Sequence, residues 1–297
     1  MPTPRSFPLV IAALLALTSA ACTRVAAAEP VSATGGLAPS ELFEVGVRHL
    51  QLSRGEGRPL PAIVWYPASG GQVAEGDFPI VLFSHGLGGQ PEGFADVTKP
   101  LAAAGFVVVA PAYPYTKKGS KAFDRNDVRN QPADAEHVLD EVIKLNTSAG
   151  DPFAGRLATS RLCAAGFSAG GFTTSGMFHP QRDRRLRCGI VISAGAMEGG
   201  FTGPPAPILF LHGDADKVVI YSRGRTAYEK LAWPKAFLTM YRQGHGEFLD
   251  SRKPGFQAAQ ATILDFLRWN LYGDATAHDR LPADGTLDRV AGIETRL

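Results

Sequence analysis

The segment Gly166-Phe167-Ser168-Ala169-Gly170-Gly171 decides the fold of this chain. It follows Leu162-Cys163-Ala164-Ala165, a short apolar run that predicts a buried parallel strand, and it precedes a helix-length run that ends at Pro180. A serine at such a strand-to-helix junction predicts a tight, strained turn, in which Gly166 and Gly170 add no side chain to the crowding. The alternative is a glycine-rich turn that contains a serine by chance, which the rest of the chain makes much less credible.

Predicted strands and helices alternate on both sides of this turn. The continuous apolar strand 78–83, the helical stretch 94–104 and the strand 106–111 form a βαβ unit. The alternating segments 43–52 and 62–66 suit antiparallel strands at one edge of the sheet. Further strands are expected at 188–193, 207–211 and 236–241, and further helices at 132–145, 221–231 and 255–271. The sequence therefore predicts an α/β fold with a mostly parallel central sheet and helices on both faces.

One domain accounts for most of the chain. We expect a flexible lead-in at 29–40, the α/β domain at 41–273 and a polar C-terminal tail at 274–297 that lies on the surface. The connection 194–206 has room for a loop only, so no large lid domain is expected over the site. The irregular connection 112–131 follows a central strand, and it is either a solvated loop or one wall of a substrate cleft.

Residues 1–28 have the pattern of a signal peptide. Arg5 precedes the apolar run Leu9–Leu17, and Ala26-Ala27-Ala28 provides a cleavage site. The apolar run is too short to span a bilayer permanently. The pattern predicts export to the periplasm or the outside of the cell. Lipid attachment at Cys22 is a less favoured alternative, because Ser19 stands where such signals usually have leucine.

Charge and cysteine content restrict the partners and the compartment. Removal of residues 1–28 leaves 28 basic and 28 acidic side chains, so no electrostatic feature predicts nucleic acid or an anionic membrane as a partner. The sequence does not indicate an oligomeric state. Cys163 and Cys188 are either two buried thiols or, given export, a disulfide.

A serine nucleophile needs a histidine base and an acid that orients it. In the fold that carries the nucleophile on such a turn, the acid and then the histidine follow it along the chain. His245 lies between two glycines just after a predicted strand, where the loop can bend towards the serine. The acid is Asp214 or Asp216, and spacing favours Asp216, with Asp214 as a turn-forming residue.

The remaining parts of the site follow from acyl-transfer chemistry. An oxyanion needs preorganised N–H donors, which we assign to Leu87, in the loop after strand 78–83, and to Ala169. His85 is expected to fix that loop and to be neither a base nor a metal ligand. Four side chains are candidates for an apolar substrate pocket: Phe167, Tyr113, Phe248 and Met197. No metal-binding or nucleotide-binding motif is present, so we expect no cofactor.

Four motifs resemble one branch of the α/β-hydrolases, the platelet-activating-factor acetylhydrolase and dienelactone-hydrolase-like esterases. They are residues 83–89, 131–134, 166–171 and 212–216, and the similarity covers roughly residues 43–271. The resemblance implies a carboxylic ester hydrolase with the triad Ser168, Asp216 and His245. Phe167 departs from that branch, which usually has histidine before the serine, and true dienelactone hydrolases use a cysteine nucleophile.

Three alternatives remain open at this point. Cutinase-like hydrolases of polyesters or lipids share the lidless layout and are the closest of them. A serine peptidase is less favoured, because such relatives usually carry an extra propeller or cap, for which this chain has no room. A non-catalytic binding protein on the same fold would normally have lost one of the three residues. Acyl chain length, and whether a polymer is attacked, do not follow from the sequence.

Overall fold

A computed structural model describes residues 1–2 and 38–297 of the chain. The predicted signal peptide, Cys22 and nearly all of the predicted lead-in therefore lie outside the described residues. Within the described part, no helix combines the length and apolar character needed to cross a membrane.

The centre of the described chain is a single mixed sheet. Its strands are β1 Glu44–Ser53, β2 Pro59–Ser69, β3 Gln72–Val73, β4 Phe78–Ser84, β5 Val107–Pro111, β6 Leu157–Phe167, β7 Leu186–Ile192, β8 Ile208–Gly213, β9 Lys235–Met240 and β10 Ala291–Arg296. The order across the sheet is β1-β2-β5-β4-β6-β7-β8-β9-β10, with β3 paired to β2. The six central strands, β4 to β9, are parallel to one another, whereas β1, β2, β3 and β10 pair antiparallel. The predicted α/β-hydrolase fold class is confirmed.

Helices cover both faces of this sheet. They are α1 Ala95–Ala103, α2 Gln131–Leu145, α3 Ala169–Gly176, α4 Tyr221–Lys230, α5 Phe256–Leu267, which a π-helical turn extends to Tyr272, and α6 Ala275–Asp284. Helices α2 and α4 pack on one face through side chains such as Val138 and Tyr228. Helices α1, α5 and α6 pack on the other, through side chains such as Leu101, Ile263 and Leu281.

Strand β4 shows why the sequence favours this layered arrangement. Its seven residues are all buried, and successive side chains of a strand point to opposite faces. Ile80 and Leu82 enter the core beneath α2 and α4, whereas Val81 and Phe83 enter the core beneath α1 and α5. A strand that is buried on both faces needs a continuous apolar sequence, which is the pattern that residues 78–83 show.

The C-terminal segment differs from the sequence-based expectation. Residues 274–297 were expected to be a surface tail, but they form α6 and β10, and β10 pairs antiparallel with β9 from Ala291 to Arg296. The segment has a weak apolar pattern because β10 is an edge strand and buries little of its side-chain surface. Its pairing with β9 covers the edge that would otherwise end the sheet.

The connection between β7 and β8 is a loop. No helix or strand occurs between Ile192 at the end of β7 and Ile208 at the start of β8, a segment that the structure describes completely. As predicted, this connection carries no lid domain.

The two candidate thiols lie on neighbouring strands. Cys163 in β6 and Cys188 in β7 are direct partners in the strand register, their Cα atoms are 4.9 Å apart, and they form a disulfide. Both residues are fully buried. The sequence left this pairing open because it does not reveal the register between parallel strands.

We predict that the disulfide stabilises the fold substantially. The bridge closes a loop between residues 25 positions apart, so replacing both cysteines with alanine should lower the free energy of unfolding by about 2–4 kcal/mol. Urea denaturation of the two proteins measures this difference. Alkylation of the unfolded, unreduced protein should modify neither Cys163 nor Cys188, and modification of both would contradict the pairing.

Candidate active site

Ser168 lies in a strained turn between β6 and α3. Its backbone angles are φ 55° and ψ −118°, a conformation that side-chain-bearing residues rarely adopt. A Cβ atom on Gly166 would overlap the backbone of Gly170, and a Cβ atom on Gly170 would overlap the backbone of Ser84. The Ser168 N–H donates to the carbonyl of Ile192 at 2.8 Å, which fixes the turn to the end of β7. The predicted need for glycine two residues before and after the serine follows from this packing.

The structure brings His245 and Asp216 together at the same edge of the sheet. Asp216 follows β8 and His245 follows β9, and both strands end where β6 delivers Ser168. The His245 Nδ1 atom lies 2.7 Å from Asp216 Oδ2. The other carboxylate oxygen, Oδ1, accepts hydrogen bonds from the N–H groups of Val218 and Val219 at 2.8 and 3.0 Å. Because these two bonds hold Oδ1, the oxygen that faces His245 is Oδ2.

Asp214 has a different position from Asp216. It is exposed, and its carboxylate accepts a hydrogen bond from the backbone N–H of Arg242 in the loop after β9. Asp214 therefore joins the loop after β8 to the loop that carries His245. Of the two candidate acids, the structure places Asp216 against His245 and gives Asp214 the turn-supporting contact that the sequence indicated.

A second histidine, which the sequence did not associate with the acid, also contacts Asp216. His212 is buried at the end of β8, with Nε2 2.8 Å from the carbonyl of Val219 and 3.3 Å from Asp216 Oδ2. A carbonyl only accepts, so Nε2 carries the hydrogen in this arrangement. Burial lowers the pKa of His212 below its ordinary value, which keeps the ring neutral. His212 lies at the end of a strand and Asp216 in the turn after it, so no sequence pattern indicated this contact.

The loop after β4 lies directly against the serine. A Cβ atom on Gly86 would lie 3.2 Å from the Cβ atom of Ser168. The N–H groups of Gly88 and Gly89 are already used, since they donate to Thr116 O at 2.7 Å and to Gly86 O at 2.9 Å. By contrast, the N–H groups of Leu87 and Ala169 have no hydrogen-bond partner among residues 38–297. The two donors assigned from the sequence are thus free.

His85 holds this loop in place. The Tyr113 N–H donates to His85 Nε2 at 3.1 Å, so Nδ1 carries the hydrogen and donates to the carbonyl of Gly86 at 2.8 Å. Burial is the main cause that lowers the pKa of His85, and the nearby Lys117 lowers it further. These contacts agree with the structural role that the sequence suggested for this histidine.

Two of the four predicted pocket residues are wrong. Tyr113 is fully buried, and its hydroxyl is 2.8 Å from Ser84 Oγ, so it supports the loop instead of facing a ligand. Phe248 is also fully buried, because the short turn after His245 directs it into the core beneath α5. Phe167 and Met197 are half-buried, and the Phe167 ring centre lies 4.7 Å from that of His245.

Other apolar side chains are exposed on the loops that surround the site. They are Leu87 after β4 and Val218 and Ile220 after β8, with exposed fractions of 41, 71 and 59 %. Exposed apolar residues clustered on functional loops commonly mark binding surfaces. Val218 and Ile220 follow the candidate acid Asp216 by two and four residues, a position that could have indicated them.

The connection 112–131 supports the site from behind. Its residue Thr116 accepts the Gly88 N–H through its carbonyl and a hydrogen bond from Gln131 Nε2 at 2.7 Å through its hydroxyl. Gln131 in turn accepts a hydrogen bond from the Thr173 hydroxyl in α3 at 2.6 Å. The two sequence-based alternatives for this connection, solvated loop or cleft wall, both omit this supporting role.

We predict that the two buried histidines make stability depend on pH. The folded chain keeps His85 and His212 neutral, whereas the unfolded chain takes up protons as the pH falls through the ordinary histidine pKa near 6.5. The free energy of unfolding should therefore fall between pH 7.5 and 5.5, by up to about 1.4 kcal/mol per pH unit for each histidine. Urea denaturation at a series of pH values measures this slope.

Histidine variants separate the contributions of His85 and His212 to this pH slope from those of other titrating groups. His85→Gln and His212→Gln should each reduce the slope, while the same change at the exposed His49 should not. Burial raises the pKa of Asp265 to about 6. This carboxyl group makes the free energy of unfolding rise as the pH falls, which opposes the effect of the histidines, and its effect is the same in all these proteins. Equal slopes in the wild type and both buried-histidine variants would contradict the prediction.

Comparison with known proteins identifies a family for the chain. A search of curated proteins finds no match to the chain. The family described as "PETase: PET hydrolase-like" matches residues 37–261, about three quarters of the chain. This match confirms the α/β-hydrolase superfamily, but it does not support the acetylhydrolase and dienelactone-hydrolase-like branch over the polyester-hydrolase alternative. The chain belongs to the PET hydrolase-like family of α/β-hydrolase-type serine esterases and is an ester hydrolase.

Proposed function

We propose that this esterase hydrolyses its substrate through the triad Ser168, His245 and Asp216. The observation that carries the proposal is the 2.7 Å contact of His245 Nδ1 with Asp216 Oδ2 at the sheet edge where Ser168 is held in its strained turn. Nδ1 then donates to the carboxylate, which leaves Nε2 as the basic nitrogen for the serine hydroxyl. A neutral serine is a poor nucleophile, so this base is what activates it.

The reaction proceeds in two halves. Ser168 Oγ attacks the ester carbonyl as its proton passes to His245, the carbon–oxygen bond to the alcohol breaks, and His245 returns the proton to the leaving alkoxide. Water then attacks the acyl-enzyme by the same route and releases the acid. In both halves the N–H groups of Leu87 and Ala169 stabilise the oxyanion, a role supported by their lack of other partners in the described chain.

We further propose polyesters as the substrate class, and three observations support this. The family match is to PET hydrolase-like proteins. The connection between β7 and β8 is a loop without a lid. Apolar side chains of Leu87, Val218 and Ile220 are exposed beside the site, where a polymer surface could contact them. An open site with an apolar rim suits a substrate that cannot enter a closed pocket.

Export is part of the proposal, because a solid polymer is met outside the cytoplasm. The disulfide between Cys163 and Cys188 supports it, since disulfides persist in oxidising compartments and are rare in the cytoplasm of mesophiles. The signal-peptide pattern of residues 1–28 supports it as well. Secretion into the medium or the periplasm, with the cleavage site read by mass spectrometry, tests this point.

The choice of acid gives a first prediction for activity. Asp216→Asn should lower kcat for a soluble nitrophenyl ester by about 10⁴-fold, because the amide no longer holds the histidine in the productive tautomer. Asp214→Asn is the matched control, and it should cost far less because the Asp214 carboxylate accepts from the backbone N–H of Arg242 and does not contact His245 within residues 38–297. A larger loss of kcat in Asp214→Asn than in Asp216→Asn would show that Asp214, and not Asp216, is the acid.

The nucleophile and the substrate class can be tested together. We expect the wild type to release soluble acids from a suspended polyester film and to hydrolyse nitrophenyl esters over a range of acyl lengths. Ser168→Ala should lose about 10⁶-fold in kcat on the soluble esters and show no release from the film.

Each outcome of that experiment has a distinct meaning. More than a few per cent of residual turnover in a folded Ser168→Ala protein would contradict the mechanism. A sharp preference for acetyl esters with no release from the film would contradict the polyester proposal and favour an acetylhydrolase.

A further inference from the structure

A groove beside the site is not used by the mechanism proposed above. It has a volume of about 700 Å³ and is lined by residues of α4 and of the loop after β7. Sites for small molecules typically have volumes of about 300–1,000 Å³. Its lining includes Ile220, four residues after Asp216, and Trp233, beyond the end of α4. The lining residues are therefore distributed along α4, a helix about 15 Å long that begins near the loop carrying Asp216.

The floor of the groove is apolar and aromatic. Phe201 and Trp233 line it, are half-buried, and have ring centres 5.7 Å apart. Ala227 and Leu231 of the α4 side are buried beneath it. Half-buried aromatic rings present apolar surface to whatever occupies the groove, so its floor suits an apolar or aromatic body.

The charged groups along the groove are all positive. Arg223 and Lys230 line it seven residues apart, which places them on one side of α4 and about 10 Å apart along the axis. No carboxylate among residues 38–297 forms an ion pair with either side chain, and the lining contains no acidic residue. On the same helix, Arg225 does form ion pairs, with Glu294 and Glu229. Within residues 38–297, Arg223 and Lys230 are thus two cations of α4 that line the groove without an ion pair.

Arg223 connects the groove with the nucleophile. Its guanidinium lies 5.6 Å from the ring centre of Phe172, which is one helical turn after Ser168 in α3. Its backbone packs against Gly195 in the loop after β7. The Arg223 cation of the groove is therefore adjacent to the helix that begins at the serine.

We propose that this groove binds an apolar carboxylate, namely the acid-terminated end of an ester chain. The proposal rests on the polyester function inferred above. Hydrolysis adds water across the ester, breaks the acyl carbon–oxygen bond, and yields an alcohol and an acid that loses its proton at neutral pH. Every cut in a polyester thus creates one chain end with an apolar body and a negative charge, which matches the aromatic floor and the two cations.

Binding can be measured without turnover. The probes are 4-phenylbutyrate and its uncharged amide, 4-phenylbutyramide, titrated into the full-length Ser168→Ala protein by calorimetry. We expect the carboxylate to bind about tenfold more tightly than the amide, because the two cations of the groove attract its charge and the amide has none. Binding should change tryptophan fluorescence, and that change should disappear in Ser168→Ala/Trp233→Phe.

Charge variants locate the site. In the Ser168→Ala background, Arg223→Gln and Lys230→Gln should each weaken 4-phenylbutyrate binding by about three- to fivefold and leave the amide unchanged. Lys99→Gln is the matched control, an exposed lysine on α1 at the opposite face of the sheet, and should have no effect. Circular dichroism of each variant establishes that it is folded.

Two results would overturn the proposal: equal affinity for the acid and the amide, or an acid affinity that neither Arg223→Gln nor Lys230→Gln reduces. Failure of the esterase mechanism is recognised separately, because it concerns turnover in the wild type, whereas these titrations use a protein without the serine hydroxyl.

Discussion

The strained turn at Ser168 is the constraint on which the rest of the site depends. A serine with φ 55° persists only where its neighbours leave no room for relaxation, and here Gly166, Gly170 and the loop after β4 pack against one another at backbone distance. Such strain costs on the order of 1–3 kcal/mol, which the surrounding sheet must offset. The continuous apolar strands on either side, buried on both faces, supply that rigidity. The turn and the sheet together hold the Ser168 hydroxyl at a fixed place at the end of β6.

A second set of contacts fixes the groups that surround the serine. The Gly88 N–H bonds to Thr116, whose hydroxyl bonds to Gln131, which accepts from Thr173 one turn into the helix that follows Ser168. Buried polar networks of this kind are rigid when every member has a partner. This network joins the proposed oxyanion loop to the nucleophile helix through α2. Within residues 38–297 the N–H groups of Gly88 and Gly89 are bonded to the protein, whereas those of Leu87 and Ala169 have no partner.

The sequence predicted those features that a local pattern determines. The turn, the strands around it, His245 and Asp216 all followed from motifs whose spacing reflects the fold. Tyr113 and Phe248 were assigned wrongly because an aromatic residue in a loop near the site can face either the core or the cleft, and only packing decides. The helix α6 and the edge strand β10 were missed because a half-exposed strand needs few apolar residues. The contact between His212 and Asp216 depends on the path of the loop after β8, which spacing alone does not define.

Covalent labelling tests the central claim most directly. The wild-type protein is treated with a fluorophosphonate, which reacts with activated serines, and the modified peptide is identified by mass spectrometry. The account predicts one adduct per chain, located on Ser168, formed in parallel with the loss of ester hydrolysis, and absent from Ser168→Ala. An adduct on another residue, or hydrolysis that continues undiminished without any adduct on Ser168, would contradict it.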